Sequence, residues 1–420
     1  MFSVVTSIFS LLLGIGILLI GIGLLGTLLG LRAGLEHFSD AVTGIVMSAY
    51  FLGYILGTLF CPAIIRRVGH IRAFAAMAAI ASTATILHGL LVHPLVWGLL
   101  RVITGICMVG LYIVVESWLN SLAPHHNRGR MFAAYLTVTL LAMSLGQFLI
   151  LLGNVEQFTL FAVVSALITL ALVPVALTTV VEPRPVEAPK ISLYYLYSTS
   201  PLGVVGTLIA GFAGSAFWGM GAVFAQGIGM TQTGIATFMS ATVVGGALLQ
   251  GPIGHLSDRH DRRSVLTAVA IFAASVATGA FIVATYSQTA LILAAFLYGG
   301  LSFSVYGLSV ARINDFLEAP QVLEATRGLL LIFGVGATLG PAAGGLCMNI
   351  LGPKGLLAYF AIIFSLLSVF AIYRMQVRRP IPIENQTEFV PMVRTSQVAL
   401  EMDPRSDLEP EFDLKSESQE

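Results

Sequence analysis

Twelve apolar runs, each about 20 residues long, constrain the fold of this chain more than any other feature. A helix of roughly 20 apolar residues crosses about 30 Å of hydrocarbon, and a soluble domain cannot hide so much apolar surface when the chain is 57% hydrophobic and 10% charged. We therefore predict an all-α integral membrane protein. Its spans are expected near residues 8–31, 41–62, 71–92, 95–119, 131–152, 158–181, 203–226, 232–252, 264–285, 289–312, 327–350 and 355–375.

Lysine and arginine residues are distributed unevenly between the two ends of these spans. If the amino terminus is cytoplasmic, fifteen basic residues fall on the inner side and two, Arg32 and Lys354, fall on the outer side. Cationic flanks resist translocation, so this asymmetry predicts that both termini are cytoplasmic. The first run lacks the basic start and the cleavage site of a signal peptide and is predicted to be a retained helix. The formal net charge of zero argues against a nucleic-acid partner.

A charged turn occurs twice between spans, at residues 62–72 and 254–263, and the two copies lie 192 positions apart. The same register aligns Gly53 with Gly245, and an offset of 194 aligns Gly105 with Gly299. Duplicated helical bundles with a solute site at their interface are typical of secondary transporters. We predict an amino-terminal bundle (1–181), a Pro-rich cytoplasmic linker (182–201), a carboxyl-terminal bundle (202–375) and an acidic, disordered cytoplasmic tail (376–420).

The second turn carries the motif Gly254-x-x-x-Asp258-Arg259-x-Asp261-Arg262-Arg263, which resembles the loop signature of the major facilitator superfamily. Asp261 departs from the signature, which has glycine there. Ala49-Tyr-Phe-Leu-Gly53 and Glu116-Ser-Trp-Leu-Asn120 resemble the YcaD-like bacterial branch of that superfamily. The resemblance implies two pseudo-symmetric six-helix bundles in a bacterial inner membrane. It also implies alternating access around a central site made by the first, fourth, seventh and tenth helices. The sequence has no His-Glu-x-x-His motif and its three cysteines show no metal-ligand spacing, so we expect no enzymatic activity, cofactor or metal.

Arg101 is the clearest charge inside a span, where an arginine costs about 2.5 to 3.5 kcal/mol on insertion scales. We interpret it as a group that binds an anionic part of a solute, although pairing with backbone carbonyls or snorkelling would also accommodate it. Tyr112 shares its helical face. Stripes of polar and aromatic side chains on other central helices complete the candidate substrate-binding or coupling set, which is Arg101, Tyr112, Trp218, Gln226, Tyr298 and Ser302.

The charged turns are candidate gates. The eighth helix packs beside the fifth in the superfamily, so the resemblance places Asp258 near Arg128 and Arg130. Glu116 resembles the inner-gate glutamate of sugar porters, which implies a salt bridge to Arg66, Arg67 or Arg130, with a proton site as the alternative. By pseudo-symmetry Arg66 faces Arg327, and Glu324 or Glu318 is expected between them. The candidate gating set is Arg66, Arg67, Glu116, Arg128, Arg130, Asp258, Arg259, Arg262, Glu324 and Arg327.

These features predict a monomeric secondary transporter for a small amphipathic or anionic organic solute. Uptake of a neutral sugar-like solute, or solute sensing without transport, remains an alternative because a transporter fold does not prove flux. Coupling to protons is left open. Symport and antiport are also left open, because the antiporter-like sequence at residues 336–345 stands in the eleventh span and not in the fifth.

Overall fold

The computed structural model describes residues 2–122, 128–177, 192–317, 319–377, 381–390 and 396. Within these residues the chain forms fourteen α-helices, two short 3-10 helices and no strand. The α-helices are α1 Phe2–Leu35, α2 Asp40–Val68, α3 His70–Leu90, α4 Pro94–Leu122, α5 Arg128–Phe148, α6 Thr159–Leu170, α7 Leu172–Ala176, α8 Leu193–Thr199, α9 Pro201–Gly227, α10 Gln232–Arg259, α11 Arg262–Val283, α12 Gln288–Asn314, α13 Ala319–Leu351 and α14 Gly355–Val377.

Twelve helical segments are long and apolar enough to cross a membrane, which confirms the predicted fold class. The sixth span consists of α6 and α7 together, and the short helix α8 lies in the segment that was predicted to be a linker. Helices α2 and α10 continue beyond the predicted ends of their spans, to Val68 and Arg259. The apolar run marks only the part of each helix in hydrocarbon, and both helices continue past an internal proline into their charged ends.

The twelve spans form two halves, α1–α7 and α9–α14, whose helices pack in equivalent ways. In the first half α2 packs against α4 and α1 against α5; in the second half α10 packs against α12 and α9 against α13. Between the halves α2 packs against α13 and α5 against α10. The structure therefore places the eighth span beside the fifth, as the sequence resemblance implied.

Glycines make the closest helix crossings at equivalent positions in the two halves. A Cβ atom on Gly53 would collide with the carbonyl oxygen of Val102, and one on Gly245 would collide with the carbonyl oxygen of Phe296. The partner glycines Gly105 and Gly299 face α2 and α10 in the same manner. Small residues at such crossings let two membrane helices approach closely. The glycine pairs that align in the sequence therefore make the same close helix crossing in each half.

The helix ends define two faces of the bundle. The arginine-rich face holds the two charged turns, with Arg66 and Arg262, whereas the opposite, arginine-poor face holds the short loop between α1 and α2. The two halves touch directly near the arginine-poor face. There Ala342 donates its N–H to Ser48 Oγ at 3.0 Å, and Ser240 Oγ donates to the carbonyl of Ser144 at 2.8 Å.

The described part of the tail, residues 381–390 and Ser396, differs from the predicted disorder. Phe389 is 7% exposed and Ser396 is 1% exposed, and both pack at the arginine-rich end of the bundle. Composition predicted disorder because acids dominate the tail, whereas the buried ring of Phe389 and hydrogen bonds of Thr387 and Ser396 connect these residues to the helices. Residues 182–191 of the predicted linker and tail residues 378–380, 391–395 and 397–420 lie outside the described residues.

Candidate functional site

A central cavity of about 190 Å³ lies between the two halves. Helices α1, α2, α4 and α5 line it from the first half, and α9 and α13 line it from the second. Helix α12, the tenth span, contributes no lining residue, contrary to the predicted set of helices. The chemically distinctive lining side chains are Tyr50, Tyr54, Arg101, Tyr112, Trp218 and Phe333.

Arg101 is the positively charged residue among the side chains that line the cavity. Its guanidinium carbon lies 4.4 Å from the centre of the Tyr50 ring, and the residue is 7% exposed. Its Nε is buried without a hydrogen-bond partner, and the guanidinium forms no salt bridge with any described carboxylate. A cation over a tyrosine face gains about 0.5 to 2 kcal/mol, which offsets only part of the cost of burial. Arg101 is thus an under-satisfied donor of charge-assisted hydrogen bonds.

The rest of the cavity wall is mainly apolar or aromatic, and its serine and threonine hydroxyls already donate to backbone carbonyls. Ser215 Oγ donates to the carbonyl of Gly211 at 2.8 Å, and Thr58 Oγ1 donates to the carbonyl of Tyr54 at 2.9 Å. Both hydroxyls donate hydrogen bonds to backbone carbonyls of their own helices, as serine and threonine commonly do in membrane helices. The cavity therefore offers a molecule aromatic walls and one cationic anchor.

The candidate binding residues divide into two groups. Arg101, Tyr112 and Trp218 line the cavity together. Gln226 does not, because its Nε2 donates to the carbonyl of Leu31 at 3.3 Å near the arginine-poor face. Tyr298 and Ser302 are buried outside it; Tyr298 stacks on Phe360 of α14, with 4.7 Å between ring centres.

Sequence reasoning missed the contribution of α13 to the wall. Leu330, Phe333, Gly334 and Ala337 line the cavity on one face of that helix, but apolar residues in an apolar span carry no signal of their own. Pseudo-symmetry is the one available signal for α13. Helix α2, which carries Tyr50 and Gly53, is equivalent to α10, and α2 packs against α13 as α10 packs against α5.

Glu116 is fully buried on α4, one turn from Tyr112 toward the arginine-rich face. Its two carboxylate oxygens accept hydrogen bonds from the hydroxyls of Tyr135 and Ser396. Arg66, Arg67 and Arg130 are exposed and form no ion pair with any described residue. The expected gate salt bridge between Glu116 and these arginines is therefore not formed, because the arginine side chains extend into solvent while the carboxylate faces inward.

The second charged turn forms a compact ion network. Arg262 donates to Asp258 at 2.9 Å and to Asp315 at 2.6 Å, and the side chains of Arg262 and Asp315 are completely buried. Burial raises the pKa of the Asp315 carboxyl even though the positive charge of Arg262 acts against it. Asp258 thus pairs within its own turn and not with Arg130, contrary to expectation; the side chain of Arg128 lies outside what the structure describes.

Asp261, which replaces the signature glycine, caps α11. Its Oδ1 accepts from the backbone N–H of Arg263 at 3.1 Å, and Arg263 also donates from its guanidinium at 2.8 Å to Oδ2. Partial burial alone would raise the pKa of Asp261, but these hydrogen bonds outweigh it and the pKa is lowered. Arg259, the remaining member of the turn, is exposed.

The first charged turn has no matching network within the described residues. Arg66 is exposed, Arg327 is buried at 7% exposure, and Glu324 is half-buried. Glu324 forms no described ion pair with Arg66 or Arg327, so the predicted bridging role is not seen. Glu318, the other expected bridge, lies outside the described residues. The two turns are therefore unequal in structure as well as in sequence.

Comparisons with known proteins agree with this architecture. The profile of the Major Facilitator Superfamily matches residues 4–200 and 203–404. The chain is 30% identical over 318 residues to the "Uncharacterized MFS-type transporter YcaD" of Escherichia coli O17:K52:H18, covering 75% of this chain and 82% of the relative. A YcaD protein of Shigella flexneri serotype 5b is 29% identical over 325 residues, covering 77% and 84%.

Solved structures show the same fold at lower identity. The crystal structure of the nucleoside transporter NupG superposes with a TM-score of 0.72 at 13% identity, covering 89% of this chain and 100% of that chain. A bacterial homolog of the human lysosomal transporter Spinster, in an inward-facing and occupied conformation, superposes with a TM-score of 0.69 at 16% identity, covering 90% and 97%.

Proposed function

The chain belongs to the Major Facilitator Superfamily, and on that premise we propose that it is a secondary transporter for a small amphipathic organic anion. The anionic group binds Arg101, and the apolar body of the solute lies against the aromatic wall that includes Tyr50 and Trp218. Transport occurs by alternating access across the inner membrane, with the arginine-rich face in the cytoplasm.

The proposal rests on one observation, the unsatisfied hydrogen-bonding capacity of the buried Arg101. A buried guanidinium with an unpartnered Nε faces a cavity in which the structure shows no carboxylate that could neutralise it. Charge-assisted hydrogen bonds to a bound carboxylate or phosphate would satisfy it. A neutral sugar-like solute would instead need free hydroxyl and amide partners, whereas Ser215 and Thr58 already donate to backbone carbonyls and Gln226 lies elsewhere.

The contacts at the arginine-poor face support alternating access. Helices α2 and α13 meet there through Gly44 and Gly345, and a Cβ atom on either glycine would collide with backbone of the opposite half. Such a tight and glycine-dependent seam closes the cavity on one side without any covalent or large apolar interface. Opening it by rocking the halves exposes the cavity to the other side, as expected for this class of transporter.

Matched ligand pairs test the proposal on the purified protein. Each pair consists of an amphipathic carboxylate and its neutral amide, and binding is read from the rise in unfolding temperature, since a ligand stabilises the state that it binds. We expect some carboxylates, but not their amides, to stabilise the wild type. Arg101→Gln should lose about 1.5 to 3 kcal/mol of binding free energy, which weakens affinity about 10- to 150-fold.

The control variant is Arg72→Gln, which removes an exposed arginine outside both candidate sets and without a described ion pair, and it should bind like the wild type. Binding of the amides as strongly as the acids, unchanged in Arg101→Gln, would overturn the anionic assignment and favour a neutral solute. Transport in vesicles with and without a pH gradient then determines whether the movement of a bound solute is coupled to protons.

A further inference from the structure

We propose that tail residues 387–390 and Ser396 are a ligand of the protein's own arginine-rich face, where they dock between the two halves and close the exit from the central cavity. The docking is carried by three separate contacts, to the ion network of the second charged turn, to a slot between two glycines, and to Glu116. The consequence for solute exit rests on the proposed transport function, whereas the docking itself does not.

The charged side chains of the second turn form hydrogen bonds with backbone groups of the tail. The N–H and hydroxyl of Thr387 donate to Asp315 Oδ1 at 3.0 and 3.1 Å, and Arg262 donates to the carbonyl of Thr387 at 2.6 Å. Two residues later, the N–H of Phe389 donates to Asp258 Oδ1 at 3.0 Å. Hydrogen bonds between backbone groups and charged side chains are stronger than those between neutral partners, so the turn provides a built site for a polypeptide.

A slot between two glycines receives the ring of Phe389. A Cβ atom on Gly254 would overlap that ring, and one on Gly307 would lie 2.9 Å from its Cε2 atom. Phe389 is 7% exposed as a result. Gly254 is the first residue of the loop signature, so in this chain its missing side chain leaves the space for the tail.

The segment reaches the other half of the protein at Ser396. The Ser396 hydroxyl donates to Glu116 on α4, and the serine is 1% exposed. Glu116 lies four residues, or about 6 Å of helix, from the cavity-lining Tyr112. The described tail residues therefore contact both halves, and Ser396 binds a residue one turn of helix from the cavity wall.

Phe389→Ala is the variant that separates docking from mere proximity. Hydrogen exchange is measured on the full chain in nanodiscs, for the wild type, for Phe389→Ala and for the control Ile383→Ala, which truncates an apolar tail residue that is 51% exposed. Loss of the buried ring should weaken docking about 10- to 100-fold. We expect the amides of Thr387 and Phe389 to be protected in the wild type and in Ile383→Ala, and to exchange at least about tenfold faster in Phe389→Ala.

Access to the cavity gives the second measurement. A cysteine replaces the cavity-lining Thr58 in a chain whose Cys61, Cys107 and Cys347 are changed to alanine, and its reaction with a bulky polar maleimide is timed. Phe389→Ala should raise that rate about tenfold, and Ile383→Ala should leave it unchanged. Exchange of residues 387–390 at the rate of a free chain, or equal labelling rates in all three proteins, would overturn the proposal.

These measurements remain separate from the test of function. Neither of them requires a solute, so an anionic ligand that fails to bind leaves the docking result intact. Conversely, a tail that exchanges freely leaves the role of Arg101 untouched.

Discussion

Substitution of Gly345 tests the idea that a glycine seam holds the arginine-poor face closed. A Cβ atom at this position would collide with the carbonyl oxygen of Asp40 and lie 3.1 Å from the Cα atom of Gly44. Both obstacles are backbone of the opposite half, so neither can rotate away as a side chain would. In Gly345→Ala the two halves must therefore separate slightly at this seam, or the closed state must carry the strain.

The size of the effect follows from the cost of overpacking. Adding a methyl group to a well-packed contact costs about 1 to 3 kcal/mol. The strain falls only on the state in which α2 and α13 touch at this point, because rocking the halves apart relieves it. The equilibrium between the closed and open arginine-poor face should therefore shift toward the open state about 5- to 150-fold.

Electron-electron distance measurements between spin labels report that equilibrium. Labels at the exposed positions Leu91 and Tyr286, which are 48% and 84% exposed, mark the arginine-poor ends of the two halves. We expect a longer distance to gain population in Gly345→Ala. The matched control is Gly98→Ala, because a Cβ atom on Gly98 has nothing within 4 Å. Identical distance distributions in the two variants, with both proteins folded, would refute the seam as the closing element.

Three further predictions concern the helices and their caps. Gly53→Ala and Gly245→Ala should each lower the free energy of unfolding by about 1 to 3 kcal/mol, since each added methyl meets backbone; thermal unfolding checks this, with Gly251→Ala, which has open space, as the neutral control. Tyr135→Phe should cost about 1 to 3 kcal/mol, because it removes a hydroxyl that donates to the buried Glu116; an unchanged unfolding temperature would contradict that contact. Asp261 has a lowered pKa, so its charge stabilises the folded state above its unfolded pKa of 3.8 and this contribution is lost as the pH falls through the lower folded value. Asp261→Asn should therefore be less stable than the wild type at pH 7, by less than about 1 kcal/mol, and the gap should narrow below about pH 4; a gap that grows with acidity would show the opposite sign.

The fold could be predicted from the sequence because its main determinants are local and repeated. Apolar runs give the spans, and Gly53 and Gly105 recur at Gly245 and Gly299 because the same close helix crossing occurs in both halves. Arg101 could also be predicted as a residue of the candidate site, and it does line the cavity, since a charge inside a span is costly wherever it lies.

The partners of the charged residues could not be predicted in the same way. Glu116 was expected to bind arginine, yet its described partners are the hydroxyls of Tyr135 and Ser396. Ser396 lies 280 residues away from Glu116 in the chain, in a tail whose composition predicts disorder. Which side chain meets which depends on a few favourable contacts between distant segments, and neither hydropathy nor pseudo-symmetry contains that information. Tyr298 shows the same limit, because the helical stripe did not reveal that its ring faces α14.

Solute exchange across a membrane tests whether Arg101 anchors an anionic solute during transport. Proteoliposomes loaded with a carboxylate that stabilises the wild-type protein are diluted into a trace of the same labelled compound, and label uptake is followed. We expect saturable accumulation with the wild type and with Arg72→Gln, and little or none with Arg101→Gln. Tight binding without any exchange, or equal exchange in wild type and Arg101→Gln, would contradict it.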